Sequence, residues 1–414
     1  MMEDDLDNSI EKARMLLQMK RTTEAIGELE KVLAQNPDSY MGLLLACAAY
    51  YEQKNKTRIK ETADKFVATY PADDVAHYYM ALASSLNKEA KAAESHVRQA
   101  IAINPHDADY FGFLAALYID KSDWTAGLNY ANQGLEIEPE NVLCLNHRTY
   151  CLTKLDRKEE ILTAVQETLS VSPDSWYSHS NVGWSKLETG DYKEAKYHFA
   201  EALRLNPNAE QARAGMRETL KANNFLYKWY LKYQFWLGKF NNQMQWVVII
   251  GFVIGRRVVF TLAASFPPLY ILAFAMIFFV YSSWIIRPLG DFILMLDRFG
   301  RALLKDDEKK AGIAVGTGFL LGLVLCTVGY FAGLMPLMVS GLVVATVIIP
   351  IGKYYHEDPE TRSTFIKVFT LGITMVAVAV IVSQFIGDPE IVTMAYIIGI
   401  AAYTWIFNIR QSAS

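Results

Sequence analysis

The sequence is short of the groups that chemistry usually needs. Its four cysteines, Cys47, Cys144, Cys151 and Cys326, form no CxxC pair, and no His/Cys cluster stands at ligand spacing. That excludes a disulfide framework or a zinc site, and the thiols read as reduced and packed. A basic surplus is missing too: 40 Lys and Arg face 44 Asp and Glu, a net charge of −4. An ordinary nucleic-acid binder is excluded on that ground. The opening "MMEDDLDNSI" is acidic without an apolar core, so no cleaved signal or transit segment is visible. Beyond about Gln245, charge itself becomes scarce. At 414 residues the chain has room for more than one domain.

What the chain does have is a period. Pro37, Pro71, Pro105, Pro139, Pro173 and Pro207 follow one another at intervals of 34 residues without slip, the mark of stacked repeats. Proline lacks an amide donor and biases its predecessor away from helix, so each should close one helix and frame a turn. Two antiparallel helices then fit each period. In the sixth, Trp176 to Ala209, the residues Gly183, Gly190, Tyr192, Ala195, Phe199 and Ala202 fall where such a pair needs close approach and a filled seam. Matching places hold Ala13, Ala25, Leu29 and Val32 in the first repeat and Ala81, Ala93, Val97 and Ala100 in the third. The fourth has Ala115, Ala131 and Gly134. The second (Cys47, Ile59, Ala63, Phe66) and the fifth (Thr149, Ile161, Val165, Thr168) depart more, and the proline phase reveals them.

This pattern closely resembles the tetratricopeptide repeat. The resemblance implies an all-α protein in which residues 1–223 form a six-repeat solenoid, with repeats at about 6–39, 40–73, 74–107, 108–141, 142–175 and 176–209. Residues 210–223 read as a capping helix, needed because the last repeat has no neighbour to bury its face. It also implies a concave peptide-binding face lined by the first helix of each repeat. By repeat alignment that face should hold Leu44, Leu45, Tyr78, Tyr79, Phe113, Asn146, His147, Tyr150, Asn181 and Trp184. The branch of the family that clamps a terminal carboxylate uses lysine, arginine and asparagine, whereas the central positions here are aromatic with isolated asparagines. The expected ligand is an apolar or aromatic segment of a partner protein, with Asn146 and Asn181 bonding its backbone. Several of these side chains are expected to pack between repeats instead.

Residues 244–414 read as a polytopic helical transmembrane domain. A helix crossing ~30 Å of hydrocarbon needs about 20 apolar residues, and the candidates are 244–264, 267–286, 312–331, 336–352, 365–386 and 391–407. Arg256-Arg257 lies inside the first; laying Trp246–Gly255 on the interface would leave one span from Val258 to Ile286, and five crossings in all. The positive-inside rule decides between them. Six crossings collect Lys221, Lys228, Lys232, Lys239, Arg287, Arg298, Arg301, Lys305, Lys309, Lys310, Lys353, Arg362, Lys367 and Arg410 on one side. The opposite loops, near Ser265-Phe266, Ala332–Met335 and Gly387–Glu390, hold no basic residue. Six spans with both termini cytoplasmic follow.

The flanks fit a bilayer. Phe225 to Phe240 alternates aromatic residues with lysines, which makes 224–243 an interfacial linker. Over 289–305 an amphipathic helix is expected on the cytoplasmic leaflet. Leu289, Phe292, Ile293, Leu296, Leu303 and Leu304 would share one face, and Asp291, Arg298, Arg301 and Lys305 the other. The third and fourth spans should form a tight hairpin. Gly312-Gly316, Gly318-Gly322 and Gly329-Gly333 permit close helix contact, within the chain or in a homo- or hetero-oligomer.

No catalytic constellation emerges. Ser340-Gly341 stands in the fourth span, where the rhomboid family keeps its nucleophile, but 391–407 has no histidine to serve as that family's base. Ser340 therefore reads as a packing serine. His356, Glu357, Asp358 and Glu360 have no HExxH spacing and read as a turn; "GIAVGTGFLLG" lacks the GK[ST] of a phosphate loop. The expectation is a non-enzyme without cofactor or metal. Arg256 and Arg257 stand apart, because ionisable residues within a span are costly and are usually paired or functional. They read either as an ion pair with Asp291 or Asp297 or a lipid-phosphate anchor, or as a site for an anion or lipid.

This order of parts resembles multi-span repeat proteins of bacterial inner membranes. The expected function is an adaptor whose repeats hold a partner protein at the bilayer. The alternative is a transporter, channel or lipid-handling protein regulated by its repeats. Against that stands the lack of acidic residues within the spans, which leaves no proton or cation relay.

Overall fold

The computed structural model describes residues 2–356, 363–387 and 389–413, with the side chains of 2–5, 242, 356 and 404–413 outside the description. Among the described residues all regular structure is helical. The chain divides into two compact units, Met1–Ser185 with Gly238–Asn242, and Lys186–Leu237 with Gln243–Ser414. Contact thus places a division inside the sixth repeat, whereas the repeat pattern ends the solenoid at residue 223 and composition changes at about Gln245.

The first unit holds helix pairs. They are α1 (Met2–Gln18) and α2 (Thr22–Gln35), α3 (Tyr40–Glu52) and α4 (Lys56–Thr69), then α5 (Asp74–Leu86) and α6 (Ala90–Ile103). After them come α7 (Ala108–Asp120) and α8 (Trp124–Ile137), α9 (Val142–Lys154) and α10 (Lys158–Val171), and the first part of α11 (Trp176–Thr189). Two further features share the 34-residue phase of the prolines. Ser39, Asp73, Asp107 and Asn141 each accept an N–H from the first turn of α3, α5, α7 and α9, satisfying donors that a helix start leaves open. In the turns within pairs, Lys20, Lys54, Lys88, Ser122, Asp156 and Gly190 all hold positive φ, from 54° to 91°.

Small residues sit where helices cross. Ala13, Ala25, Ala63, Ala81, Ala93, Ala115 and Ala131 are wholly buried, and Leu29, Phe66, Val97 and Leu114 fill the seams. Full burial of such a large side chain contributes about 1.5–3 kcal/mol. Between α8 and α9 the thiols are the fillers: a Cβ on Gly134 would collide with Cys144 Sγ, and one on Gly127 would lie 3.0 Å from Cys151 Sγ. Burial pushes both thiols up to about 12, so they are inert packing groups.

The second unit begins with α12 (Tyr192–Leu205), α13 (Glu210–Lys221) and α14 (Phe225–Leu237). Then come α15 (Asn242–Ala263), α16 (Leu269–Leu294), the short α17 (Arg298–Leu303), α18 (Asp306–Ala332), α19 (Met335–His356), α20 (Thr364–Ile386) and α21 (Glu390–Ala413). Five stretches are long and apolar enough to cross a membrane: Gln243–Ala263, Leu269–Leu294, Asp306–Ala332, Met335–Tyr355 and Thr364–Ile386. The described part of α21, Glu390–Tyr403, is a shorter apolar helix. The turn between α18 and α19 is made at Gly333 (φ 67°), and the two helices touch along glycines. A Cβ on Gly322 would lie 2.9 Å from the Gly341 carbonyl oxygen, and one on Gly329 2.7 Å from Met338 N. These two are the tight hairpin expected of the third and fourth spans.

One element differs from expectation. Residues 289–305 are not a single amphipathic helix: α16 runs through Pro288 to Leu294, the chain turns, and α17 starts at Arg298. Asp297 causes the restart, because its carboxylate accepts the Gly300 N–H at 2.7 Å and caps α17. Asp291, expected on a polar face, is 1% exposed.

Candidate functional site

The first helices of the repeats place the ten expected groove residues in two environments. Leu44, Leu45, Tyr78, Tyr79, His147, Tyr150 and Trp184 are half-buried. Phe113, Asn146 and Asn181 are buried. On α5 and α7, the Tyr78 ring lies 4.9 Å from Tyr110 and 5.7 Å from Phe113. Burial raises the Tyr78 hydroxyl and carries that of Tyr79 to about 12, so both stay neutral donors. Phe113 is thus a supporting ring beneath Tyr78.

Asn146 does not face a ligand. Its Oδ1 accepts from Asn181 Nδ2 at 2.8 Å, and its Nδ2 donates to Val142 O at 2.8 Å and Ser178 Oγ at 3.1 Å. The amide ties α9 to α11, both its N–H donors are spent, and with the residue 0% exposed its oxygen is out of a partner's reach. The neighbouring His147 is pushed down to about 4 by burial, and among the described residues its Nε2 has no hydrogen-bond partner.

A second feature of this surface has no signal in the repeat pattern. Trp124 Nε1, at the start of α8, donates to the backbone carbonyl of Lys239 at 2.7 Å. Lys239 Nζ lies 3.5 Å from Asp156, in the turn of the fifth repeat. The Trp124 ring also meets Tyr150 edge-on at 6.0 Å. Lys239, expected to meet lipid, is an ion-pair partner of the repeats. The repeat surface therefore holds a stretch of polypeptide through one carbonyl and one charge.

In the second unit the polar residues of α13 turn inward. Lys221 Nζ is 2.6 Å from Asp291 and 3.4 Å from Glu218, whose other oxygen accepts the Tyr227 hydroxyl at 2.5 Å. Arg217 reaches Glu210 at 3.1 Å and Glu308 at 3.4 Å and donates to Leu303 O at 3.0 Å. Beside this seam a cavity of about 300 Å³ is lined by Leu220, Tyr227, Ile286, Leu289, Ile293 and Asp297, among others.

Arg256 and Arg257 are both exposed on α15 and make no ion pair among the described residues. Neither carboxylate named above as their partner serves: Asp291 holds Lys221, and Asp297 caps α17. Ser340 is buried, and its Oγ donates to Pro336 O at 2.8 Å within its own helix. Residues 357–362 and the His356 side chain, which include the acidic loop, lie outside the described residues. Elsewhere, among the described residues, no group of three His, Cys, Asp or Glu is placed to hold a metal.

Residues 176–209 match the family model described as tetratricopeptide repeat. The chain is 25% identical over 139 residues to stress-induced-phosphoprotein 1 of Caenorhabditis elegans, covering 34% of this chain and 42% of that one. It is 22% identical over 216 residues to a peroxisomal targeting signal receptor of Eremothecium gossypii, covering 50% and 37%. The chain thus spans less than half the length of these curated relatives. Among solved structures, the Cut9–Hcn1 hetero-tetramer of the APC/C is similar at 13% identity and TM-score 0.47, over 52% of this chain and 43% of that one. Pseudomonas aeruginosa pilF is similar at 14% identity and TM-score 0.43, over 54% and 99%.

Proposed function

We infer that the chain, a tetratricopeptide-repeat protein, works as an adaptor fixed in a membrane by its own helices. Its repeats hold a segment of a partner protein, and α15, α16, α18, α19, α20 and α21 keep that partner at the bilayer. In this reading both chain ends lie on the side that receives the basic residues. The carrying observation is the way Trp124 and Asp156 grip residue 239, since the same surface is equipped to take a backbone carbonyl and a positive charge. The half-buried Tyr79, Tyr150 and Trp184 add stiff aromatic area, the kind of side chain on which interfaces concentrate binding energy. The relatives' names support a protein partner: one of them is a receptor for a targeting signal.

The test is cross-linking of the full chain in its native membrane, comparing wild type with a Tyr79→Ala, Trp184→Ala variant. Phe113 is left intact because it is 9% exposed and its loss would act on stability. A partner captured by wild type and lost from the variant, at unchanged thermal stability, is the expected result. Identical sets from both proteins would sink the groove reading and move the function to the membrane helices.

A further inference from the structure

We propose that α15 is a docking face for a membrane helix of another protein, one carrying an aspartate or glutamate near the middle of the bilayer. The inference does not depend on the groove. It starts from how little of α15 is covered: 6% of the apolar 18-residue stretch within Gln243–Ala263 is buried, against 11% for Leu269–Leu294 and 44% for Met335–Tyr355. Half-burial follows a stripe, Gln245, Val248, Phe252, Gly255 and Val259, that ends at the buried Ala263; Trp246 is half-buried off this stripe near the helix start, and the Phe252 ring is 5.8 Å from Phe279. The other side presents Ile250, Val253 and Ile254, which are 43% to 59% exposed, and then Arg257 one turn on. Arg256 is exposed at the edge of this face.

An apolar face alone would suit lipid. Two guanidinium groups do not, because a charge within hydrocarbon is expensive unless it finds a counter-charge or reaches a headgroup. Reach is poor in both directions. From Arg256 back to Gln243 the helix rises about 20 Å, and from Arg257 on to Ala263 about 9 Å. The nearer end is the C-terminal one, yet Cα–Cβ bonds tilt toward a helix N-terminus, so both side chains leave toward the distant surface. A counter-charge within the bilayer is the remaining way to satisfy them.

This chain does not supply one among its described residues. Among the described residues, the crossing stretches carry acids at their ends, where Asp291 holds Lys221 and Asp306, Asp307 and Glu308 pair with Lys309, Lys310 and Arg217. Met335–Tyr355 and Thr364–Ile386 contain none. A second copy would set arginine against arginine. Charge complementarity therefore selects a foreign helix with an acid at depth, packed against Ile250, Val253 and Ile254 so that its carboxylate meets Arg257 and Arg256.

The test uses the full chain in phosphatidylcholine vesicles with a labelled leucine–alanine helix of about 21 residues bearing one central aspartate. A second probe has leucine there. Energy transfer from the labelled chain should show the aspartate probe binding roughly tenfold tighter, as one interhelical charge-assisted contact allows. Arg256→Leu with Arg257→Leu should erase that preference, and Arg256→Lys with Arg257→Lys should keep most of it. Should the leucine pair fail to insert, Val253→Trp blocks the face without touching charge and should weaken the aspartate probe by a similar factor. Equal binding of both probes to wild type overturns the proposal. So does guanidinium–phosphorus contact by solid-state NMR that the aspartate probe leaves unchanged, which would make lipid phosphate the occupant. Arginine-dependent transfer between labelled copies of the chain would make a second copy the occupant and overturns it equally.

Discussion

Lys221 Nζ lies 2.6 Å from the Asp291 carboxylate, with the residues 8% and 1% exposed, and so joins the end of α13 to the end of α16 inside one compact unit. Burial opposes the ammonium, but Glu218 and Asp291 outweigh it and raise Lys221 above the ordinary lysine range. A raised lysine contributes stability that is present at neutral pH and is lost as pH climbs through the folded value. Removing one partner leaves an uncompensated buried charge, at a cost of about 3–5 kcal/mol. Lys221→Met and Asp291→Leu should each lower the thermal midpoint of the solubilised chain sharply. The double variant should lose less than the two single losses combined. Strict additivity would show that the pair is not coupled.

His147 gives the repeats an acid limit. Its folded-state value near 4 lies below the unfolded one of about 6.5, so the unfolded chain binds more protons between those pH values. Stability should be full above about pH 6.5 and decline toward pH 4, by up to about 3 kcal/mol. Denaturant titrations of His147→Leu should show a flatter acid limb than wild type. Parallel limbs in the two proteins would mean that another group sets the acid sensitivity.

The proline phase and the buried alanines were legible because each enforces a local steric rule that recurs every 34 residues. Asn146 was misread for a reason of distance. A polar residue on a first helix suggests a ligand contact, but Asn181, one repeat further on, satisfies it, and a satisfied amide is easily buried. Arg217 went unnoticed, and Lys221 read only as one of the basic residues flanking the first span: their partners Glu308 and Asp291 lie far along the chain, beyond any helical spacing. The one-sided exposure of α15 was hidden because its residues are apolar nearly all round. Only the arginines marked it.

The turns within pairs invite a backbone test. Lys88 holds φ 64° and Gly190 φ 91° at equivalent places, and a side chain in that region costs about 1–2 kcal/mol relative to the right-handed one. Glycine avoids that cost but gives back roughly 0.5–1 kcal/mol of chain entropy. Lys88→Gly should therefore raise unfolding free energy by up to about 1 kcal/mol, and Gly190→Ala should lower it by about as much. Equilibrium denaturation measures both. A destabilised Lys88→Gly would mean that the lysine side chain makes a contact worth more than the strain.

The grip of Trp124 on the Lys239 carbonyl is open to a direct assay, because tryptic cleavage after Lys239 requires that segment to leave the repeat surface. Trp124→Phe keeps the ring against Tyr150 and removes the donor of a 2.7 Å hydrogen bond. A net loss near 1 kcal/mol should raise the opened population about fivefold and speed cleavage by the same factor. Asp156→Asn, which removes the charge opposite Lys239 Nζ at 3.5 Å, should act more weakly. The order matters: if the charge variant opened the segment more than the tryptophan variant, Asp156 rather than the carbonyl bond would be the principal hold. The backbone recognition attributed to this surface would then lose its basis.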